Sequence, residues 1–169
     1  ETSSGTSGAG VISAALRFEP VQGIYDNNGK YTLKQVGDPH DNPVAVARER
    51  KNEVITDLFQ GNAYGEVELL TGLKFRSTLG VQISNRRTGN YVTKELVEGR
   101  NYGGTGSITA HKNTNVINEN FLTYTKTFQQ NHNLDVMGGY SYQSSRNEEW
   151  VANNRDFVSD NFSFWNLGA

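Results

Sequence analysis

Two long stretches of the chain alternate between apolar and polar residues, with a short turn between them. From Phe59 to Leu69 the odd-numbered positions are apolar or small, and the alternation resumes between Leu73 and Arg86. A period of two residues indicates β-strands with one apolar face, and Thr71-Gly72 supplies the turn of a hairpin. The sequence therefore predicts antiparallel strands near 54–70 and 73–86.

A second hairpin is predicted in the last third of the chain, with arms near 114–128 and 133–146. The second arm places Leu134 and Val136 on one face and leaves Met137 as an apolar exception on the other. These segments are longer than the roughly 5–6 residues of a typical strand in a soluble sandwich. Strand length therefore favours a sheet that crosses a membrane.

The connections between the predicted strands differ strongly in length. The turns at 71–72 and 129–132 are tight, whereas the other connections are long. Outer-membrane barrels combine short periplasmic turns with long extracellular loops in this way. We therefore predict an all-β fold, a four-stranded segment of an incomplete antiparallel transmembrane β-barrel. Its predicted parts are an extracellular loop (1–50), a hairpin (52–86), a second loop (87–115), a second hairpin (116–146) and a third loop (147–169).

Composition narrows the classes of function. Sixteen basic and eighteen acidic side chains leave a formal net charge of -2 without a long block of one sign, so nucleic-acid binding is not expected. The chain has no cysteine, which removes thiolate metal sites and a Cys nucleophile. A mean hydropathy of -0.63 is compatible with a barrel, because barrel strands alternate apolar and polar residues. No cofactor is predicted.

The first fifty residues predict one long, ordered connection. Glu1–Gly10 reads as a loop without the pattern of a signal peptide, so an exported protein is expected to begin upstream. Val11–Phe18 predicts one or two helical turns, ended by Pro20. Asn28-Gly29 predicts a tight turn of the primed type, and Gly37–Pro43 predicts more loop.

Several short runs, in order along the chain, resemble those of one family. The first group is Ala15–Pro20, Tyr25-Asp26, Gly29, Asn42-Pro43, Arg50, Gly61–Glu66 and Leu73–Ser77. The second group is Asn120–Phe128, His132–Leu134 and Gly138–Gln143. Together they are similar to the barrels of the SusC/RagA family of TonB-linked outer-membrane proteins, the TonB-dependent receptors.

The resemblance implies a role in a larger assembly. Such proteins are 22-stranded barrels filled by a plug, and they import glycans or peptides with a SusD-like lipoprotein as lid and TonB as energy source. This chain shows no plug, TonB box or closing strand, so it is expected to form wall and loops rather than to act alone. The partners implied are outer-membrane lipid, the rest of the barrel and plug, the lipoprotein, TonB and an oligosaccharide or peptide substrate. The location implied is the outer membrane of a Gram-negative bacterium, and no enzymatic activity is expected.

Alternation assigns side chains to the two faces of the predicted wall. The residues expected to face the lumen are Glu66, Glu68, Lys74, Arg76, Gln82 and Arg86. The residues expected to face lipid are Phe59, Val67, Leu69, Leu73, Phe75, Leu79, Val81, Ile83, Leu134, Val136 and Tyr140. Cross-strand pairing of Glu66 and Glu68 with Lys74 and Arg76 is the simpler interpretation of the lumen row, since such pairs stabilise a sheet without touching substrate.

Other motifs support no catalytic or metal site. The three histidines lack ligand-like spacing, and turn formation explains the group of Asp38, His40 and Asp41. The C-terminal aromatics, Trp150 to Trp165, fit sugar stacking, contact with a lid protein or packing within the loop. Two alternatives remain open, a soluble all-β carbohydrate-binding module and a β-sandwich hydrolase. Both require a second sheet over the apolar face of the first hairpin.

Overall fold

The protein is described by a computed structural model over residues 10–33, 40–128 and 132–168. Of the predicted loop at Glu1–Gly10 only Gly10 is described. Residues 37–39 of the predicted loop Gly37–Pro43 lie outside the described residues, as does most of the predicted turn at 129–132. Along the chain the elements are α1 (Val11–Arg17), α2 (Pro43–Glu49), β1 (Arg50–Leu70), β2 (Leu73–Val92), α3 (Val97–Arg100), β3 (Thr105–Phe128), β4 (His132–Arg155) and a 3-10 turn (Ser163–Trp165).

The four strands form one antiparallel sheet in the order β1-β2-β3-β4, and this sheet does not close on itself. The predicted all-β barrel segment is therefore confirmed. The strands contain 20 to 24 residues each. This is about twice the length that a tilted strand needs to cross the apolar part of a bilayer.

The strands extend further than the sequence predicted. β2 continues from 86 to Val92, β3 begins at Thr105 rather than near 114, and β4 continues from 146 to Arg155. The predicted loops 87–115 and 147–169 are therefore partly strand, and the first loop ends where β1 begins at Arg50. Glycines interrupt the apolar–polar alternation that identifies a strand, and for this reason the sequence analysis missed these extensions. Gly89, for example, is a residue of β2, and a Cβ added there would lie 2.6 Å from the Phe164 ring.

The turn between β1 and β2 depends on Gly72. This residue has a φ of 82°, a conformation that L side chains rarely adopt. Its amide donates a hydrogen bond of 3.0 Å to the Glu68 carboxylate. Its carbonyl accepts from the Thr125 amide at 2.8 Å, so the turn is also held by β3.

The predicted helix at Val11–Phe18 is confirmed, with the Phe18 amide donating to the Ala14 carbonyl at its end. The prediction of a primed turn at Asn28-Gly29 is wrong in type. Of these two residues only Gly29 has a positive φ, 75°, whereas a type I′ turn needs two. The Asp26 carboxylate instead accepts from the amides of Asn28 and Lys30 and closes the turn between Tyr25 and Tyr31.

Contacts divide the chain into two compact units. The turn-side unit comprises Thr56–Arg86 and His111–Glu149, and the loop-side unit comprises Glu1–Ile55, Arg87–Ala110 and Trp150–Ala169. All buried residues of the described chain belong to the loop-side unit. One cluster there is formed by Ala45, Val46, Val92 and Leu96, and a second by Tyr91, Phe157 and Phe164.

Candidate functional surfaces

The polar face of the turn-side unit gathers charged residues from neighbouring strands. Glu66, Lys74 and Arg76, which the sequence assigned to the lumen, line one cavity of about 800 Å³. Residues of β3 and β4 complete its lining, among them Glu119 and Met137. The structure therefore brings three of the six predicted lumen residues to one open surface.

The ion pairs on this surface differ from the predicted set. Lys74 Nζ lies 3.7 Å from Glu66 Oε1, as predicted for a cross-strand pair. Glu68 instead accepts a hydrogen bond from the Gly72 amide, and the Arg76 guanidinium lies 4.5 Å from the centroid of the Tyr64 ring. The prediction of two acid–base pairs is thus wrong for Glu68 and Arg76, because a turn amide and an aromatic ring lie closer.

The odd-numbered residues of β3 complete the polar face and were missed by the sequence analysis. Phe121, Thr123 and Thr125 line the same cavity as Lys74. Phe121 lies against Gly139 of β4, where an added Cβ would be 2.5 Å from its ring. The alternation of residue types along β3 could have assigned these residues to the polar face. Two of them are threonines, however, and threonine occurs on polar and apolar faces alike.

The two remaining predicted lumen residues of β2 lie outside this cavity. Gln82 is half-buried and Arg86 is exposed. Both follow Lys74 and Arg76 at even-numbered positions of the same strand, which contains no break between Leu73 and Val92. Their assignment to the lumen stays a prediction.

The predicted lipid-facing residues have no second sheet over them in the described part of the chain. Exposed side chains in this set are Phe59, Val67, Leu69, Leu79, Leu134, Val136 and Tyr140, while Leu73, Phe75, Val81 and Ile83 are half-buried. A β-sandwich would cover this face with apolar side chains of another sheet. The bare face argues against both the soluble binding module and the sandwich hydrolase.

The C-terminal aromatics divide between packing and exposure. Phe157 and Phe164 are buried with Tyr91, whose hydroxyl donates to Asp160 Oδ1 at 2.6 Å. Trp165 is exposed, with the Arg87 guanidinium 4.7 Å from its ring centroid. Packing within the loop-side unit is therefore the role of two of these residues, and Trp150, Phe162 and Trp165 retain exposed rings.

Asp41 has a structural partner in the loop-side unit. Its carboxylate accepts a hydrogen bond of 2.9 Å from the Val97 amide, at the start of α3. Burial raises the pKa of the Asp41 carboxyl above its ordinary value, although this hydrogen bond acts in the opposite direction. Asp41 therefore links the segment before α2 to α3, while Asp38 of the same predicted group lies outside the described residues.

Metal binding and helical membrane crossing find no support in the described ranges 10–33, 40–128 and 132–168. No three His, Asp or Glu side chains there are close enough together to hold a metal ion. His111 lies 3.9 Å from Glu149, and both side chains are half-exposed. No helix in these ranges has the length and apolar composition to cross a bilayer.

The chain is similar to part of much longer proteins. It is 40% identical over 163 residues to TonB-dependent receptor P3 of Formosa agariphila, a match that covers 96% of this chain and 16% of that receptor. TonB-dependent receptor P26 of the same organism is 27% identical and covers 90% of the chain. The chain spans about one sixth of the length of these curated relatives. No family model matches it.

A solved structure has the same fold. The RagAB peptide transporter aligns with a TM-score of 0.68 and 20% sequence identity, covering 81% of this chain and 16% of that chain. The similar proteins are named as receptors and a transporter rather than as enzymes, in agreement with the sequence analysis. The chain thus belongs to the TonB-dependent receptor family and corresponds to a segment of the β-barrel of these proteins, as its sequence motifs predict.

Proposed function

We propose that the chain forms four strands of the wall and the attached loops of an outer-membrane transporter that imports nutrients such as glycans or peptides. The remaining barrel strands and plug complete the transporter in this proposal. A SusD-like lipoprotein covers its outer side, and TonB supplies the energy for import. The host is a Gram-negative bacterium, and the 169 residues do not transport alone.

One observation carries this proposal, the absence of any buried residue among the described residues of the turn-side unit. A water-soluble sheet of this size would bury one of its faces, because hydrophobic burial is the main favourable contribution to folding. A barrel strand instead meets lipid on one side and plug or water on the other. Barrel strands therefore explain why large apolar side chains of this unit are exposed.

The open edges of the sheet support the same proposal. β1 and β4 each have one strand neighbour in the described sheet. Free backbone donors and acceptors are not tolerated within the hydrocarbon region of a membrane, so both edges need further strands there. The relatives, which are about six times longer than the matched segment, have the length to supply them.

Import can be tested with the complete receptor in its own host. We expect uptake of fluorescently labelled oligosaccharides or oligopeptides to fall to background when either the receptor gene or the tonB gene is deleted. The amount of receptor in the outer membrane of the tonB mutant serves as the control, because TonB energises import but is not needed for folding. Unchanged uptake after deletion of the receptor would contradict the proposal.

The orientation of the wall can be tested with single cysteines, since the chain contains none. Val158, which is 94% exposed, lies beyond β4, and Thr71 lies in the tight turn. In a complete receptor freed of other cysteines, we expect a membrane-impermeant maleimide to label Val158→Cys on intact cells. Thr71→Cys should react only after the outer membrane is permeabilised. The reverse pattern, or equal labelling, would refute the orientation proposed for the barrel.

A further inference from the structure

The loop-side unit contains a cavity of about 630 Å³ to which all four strands contribute. Arg50 comes from β1, Asn90 from β2, Thr105 from β3 and Arg155 from β4. Glu98 and Tyr102 belong to the connection between β2 and β3 and also line it. Its volume is within the range of about 300–1,000 Å³ that is usual for small-molecule sites.

The cavity has more positive than negative charge. Its charged residues are the two arginines and Glu98, which lies 2.5 Å from the Arg50 Nη2 atom. Arg155 has no carboxylate within 4 Å among the described residues, so its charge is not balanced by Glu98. One cationic group therefore remains available to an anion.

Both guanidinium groups also have unused hydrogen-bond donors. The Arg50 Nε atom is buried and has no hydrogen-bond partner in the described part of the chain. The Arg155 guanidinium lies over the Tyr102 ring, 5.6 Å from its centroid, and the Arg155 side chain donates no hydrogen bond to another described residue. Buried donors without partners are uncommon in proteins, and a bound ligand is one way to satisfy them.

The rest of the lining suits a polar ligand. Ser107 and Thr105 supply hydroxyl groups and Asn153 an amide, while Tyr102 offers a half-exposed aromatic ring. Hydroxyls and amides hydrogen-bond to sugar hydroxyls or to peptide groups equally well. These groups favour a ligand with many hydrogen-bonding groups, but they do not distinguish an anionic ligand from a neutral one.

We propose that this cavity is a subsite for a carboxylate group of the imported ligand, with Arg155 as the principal anion-binding residue. The inference rests on the proposed import function and goes beyond it by naming the ligand chemistry. A guanidinium can bind both oxygens of a carboxylate through two parallel N–H donors, whereas an ester or an amide carries no matching charge. The carboxylate can belong to a uronic acid of a glycan or to the C-terminus of a peptide.

Binding to the purified complete receptor in detergent tests this proposal. The probes are trigalacturonate and its methyl ester, and the peptide Ala-Ser-Ala and its C-terminal amide, each measured by calorimetry at low salt. We expect the acid to bind about tenfold more tightly than its neutral partner in one of the two pairs, the worth of one charge-assisted hydrogen bond. The pair that shows this preference identifies the source of the carboxylate.

Two variants separate the role of Arg155 from a general effect of positive charge. Arg155→Gln should lower the affinity for the acid to that for the neutral probe, which removes the preference. Arg146→Gln is the matched control, because Arg146 is also on β4 but pairs with Glu148 at 2.7 Å and does not line the cavity. It should keep the full preference. Heat-modifiable mobility on gels checks that both variants fold.

Three results would overturn the proposal. They are equal binding of acid and neutral probes in both pairs, no binding of either acid, and equal losses in the two variants. Uptake assays separate such a failure from failure of the proposed function. A receptor that still imports a labelled oligomer in a TonB-dependent way, without preferring acids, lacks only the carboxylate subsite.

Discussion

Val136→Arg is expected to lower the stability of the complete receptor in a bilayer by about 2–4 kcal/mol, the cost of an arginine on the lipid side of a barrel near the midplane. Val136 is exposed on the predicted lipid face and lies within the first ten residues of β4, which begins at His132. The measurement is the urea dependence of folding into lipid vesicles, with the amount of folded receptor in the outer membrane as a second reading.

Met137→Arg provides a matched control for this substitution. Met137 is the next residue on the same strand, is also exposed and lines the cavity on the opposite face. At the same depth, an arginine directed towards the polar interior of the barrel should cost less than about 1 kcal/mol. Equal losses for the two variants would contradict the assignment of Val136 to lipid and Met137 to the lumen.

Gly72→Ala is expected to destabilise the barrel by about 3 kcal/mol through two effects that add. A non-glycine residue at positive φ costs about 1–2 kcal/mol, and overpacking costs a further 1–3 kcal/mol. The overlap is with backbone, since a Cβ at Gly72 would collide with the carbonyl oxygen of Thr125. Because Thr125 also donates its amide to Gly72, β3 cannot move away without breaking that hydrogen bond.

Gly65→Ala controls for the general effect of adding a methyl group to a strand glycine. Gly65 lies in β1, has no positive φ and has no atom within 4 Å of an added Cβ. We expect a change of less than about 1 kcal/mol, which can be stabilising because the unfolded chain loses conformational freedom. Folding of the two variants into vesicles is compared by the urea midpoint. A loss for Gly65→Ala as large as that for Gly72→Ala would show that the turn is not the cause.

The sequence was sufficient where alternation is strong. Phe75, Leu79, Val81 and Ile83 fall on one face of β2, and the pairing of β1 with β2 follows from this pattern and the Thr71-Gly72 turn. The family was likewise recognised from the sequence, because several short runs that resemble it occur in order along the chain, and the similarity to TonB-dependent receptor P3 confirms it. Local pattern and turn chemistry therefore predicted the fold class and the turn-side unit.

The loop-side unit could not be predicted in the same way, because its structure depends on contacts between residues far apart in the chain. Gly89 suggested a loop in the sequence, but it is a residue of β2 beside the Phe164 ring of the C-terminal segment. The partners of Arg50 and Arg155, Glu98 and Tyr102, likewise come from another segment. Residue type alone does not identify such partners.

The contact between Gly89 and Phe164 limits how the C-terminal loop can change during evolution. Surface loops usually tolerate insertions and deletions because few contacts fix their length. Here the Phe164 ring occupies the space where a side chain at position 89 would lie, so a shift of the loop by one residue would leave a gap over β2 and place another side chain against it. Insertions and deletions in this loop are therefore constrained by Gly89, a strand residue 75 positions before Phe164 in the chain.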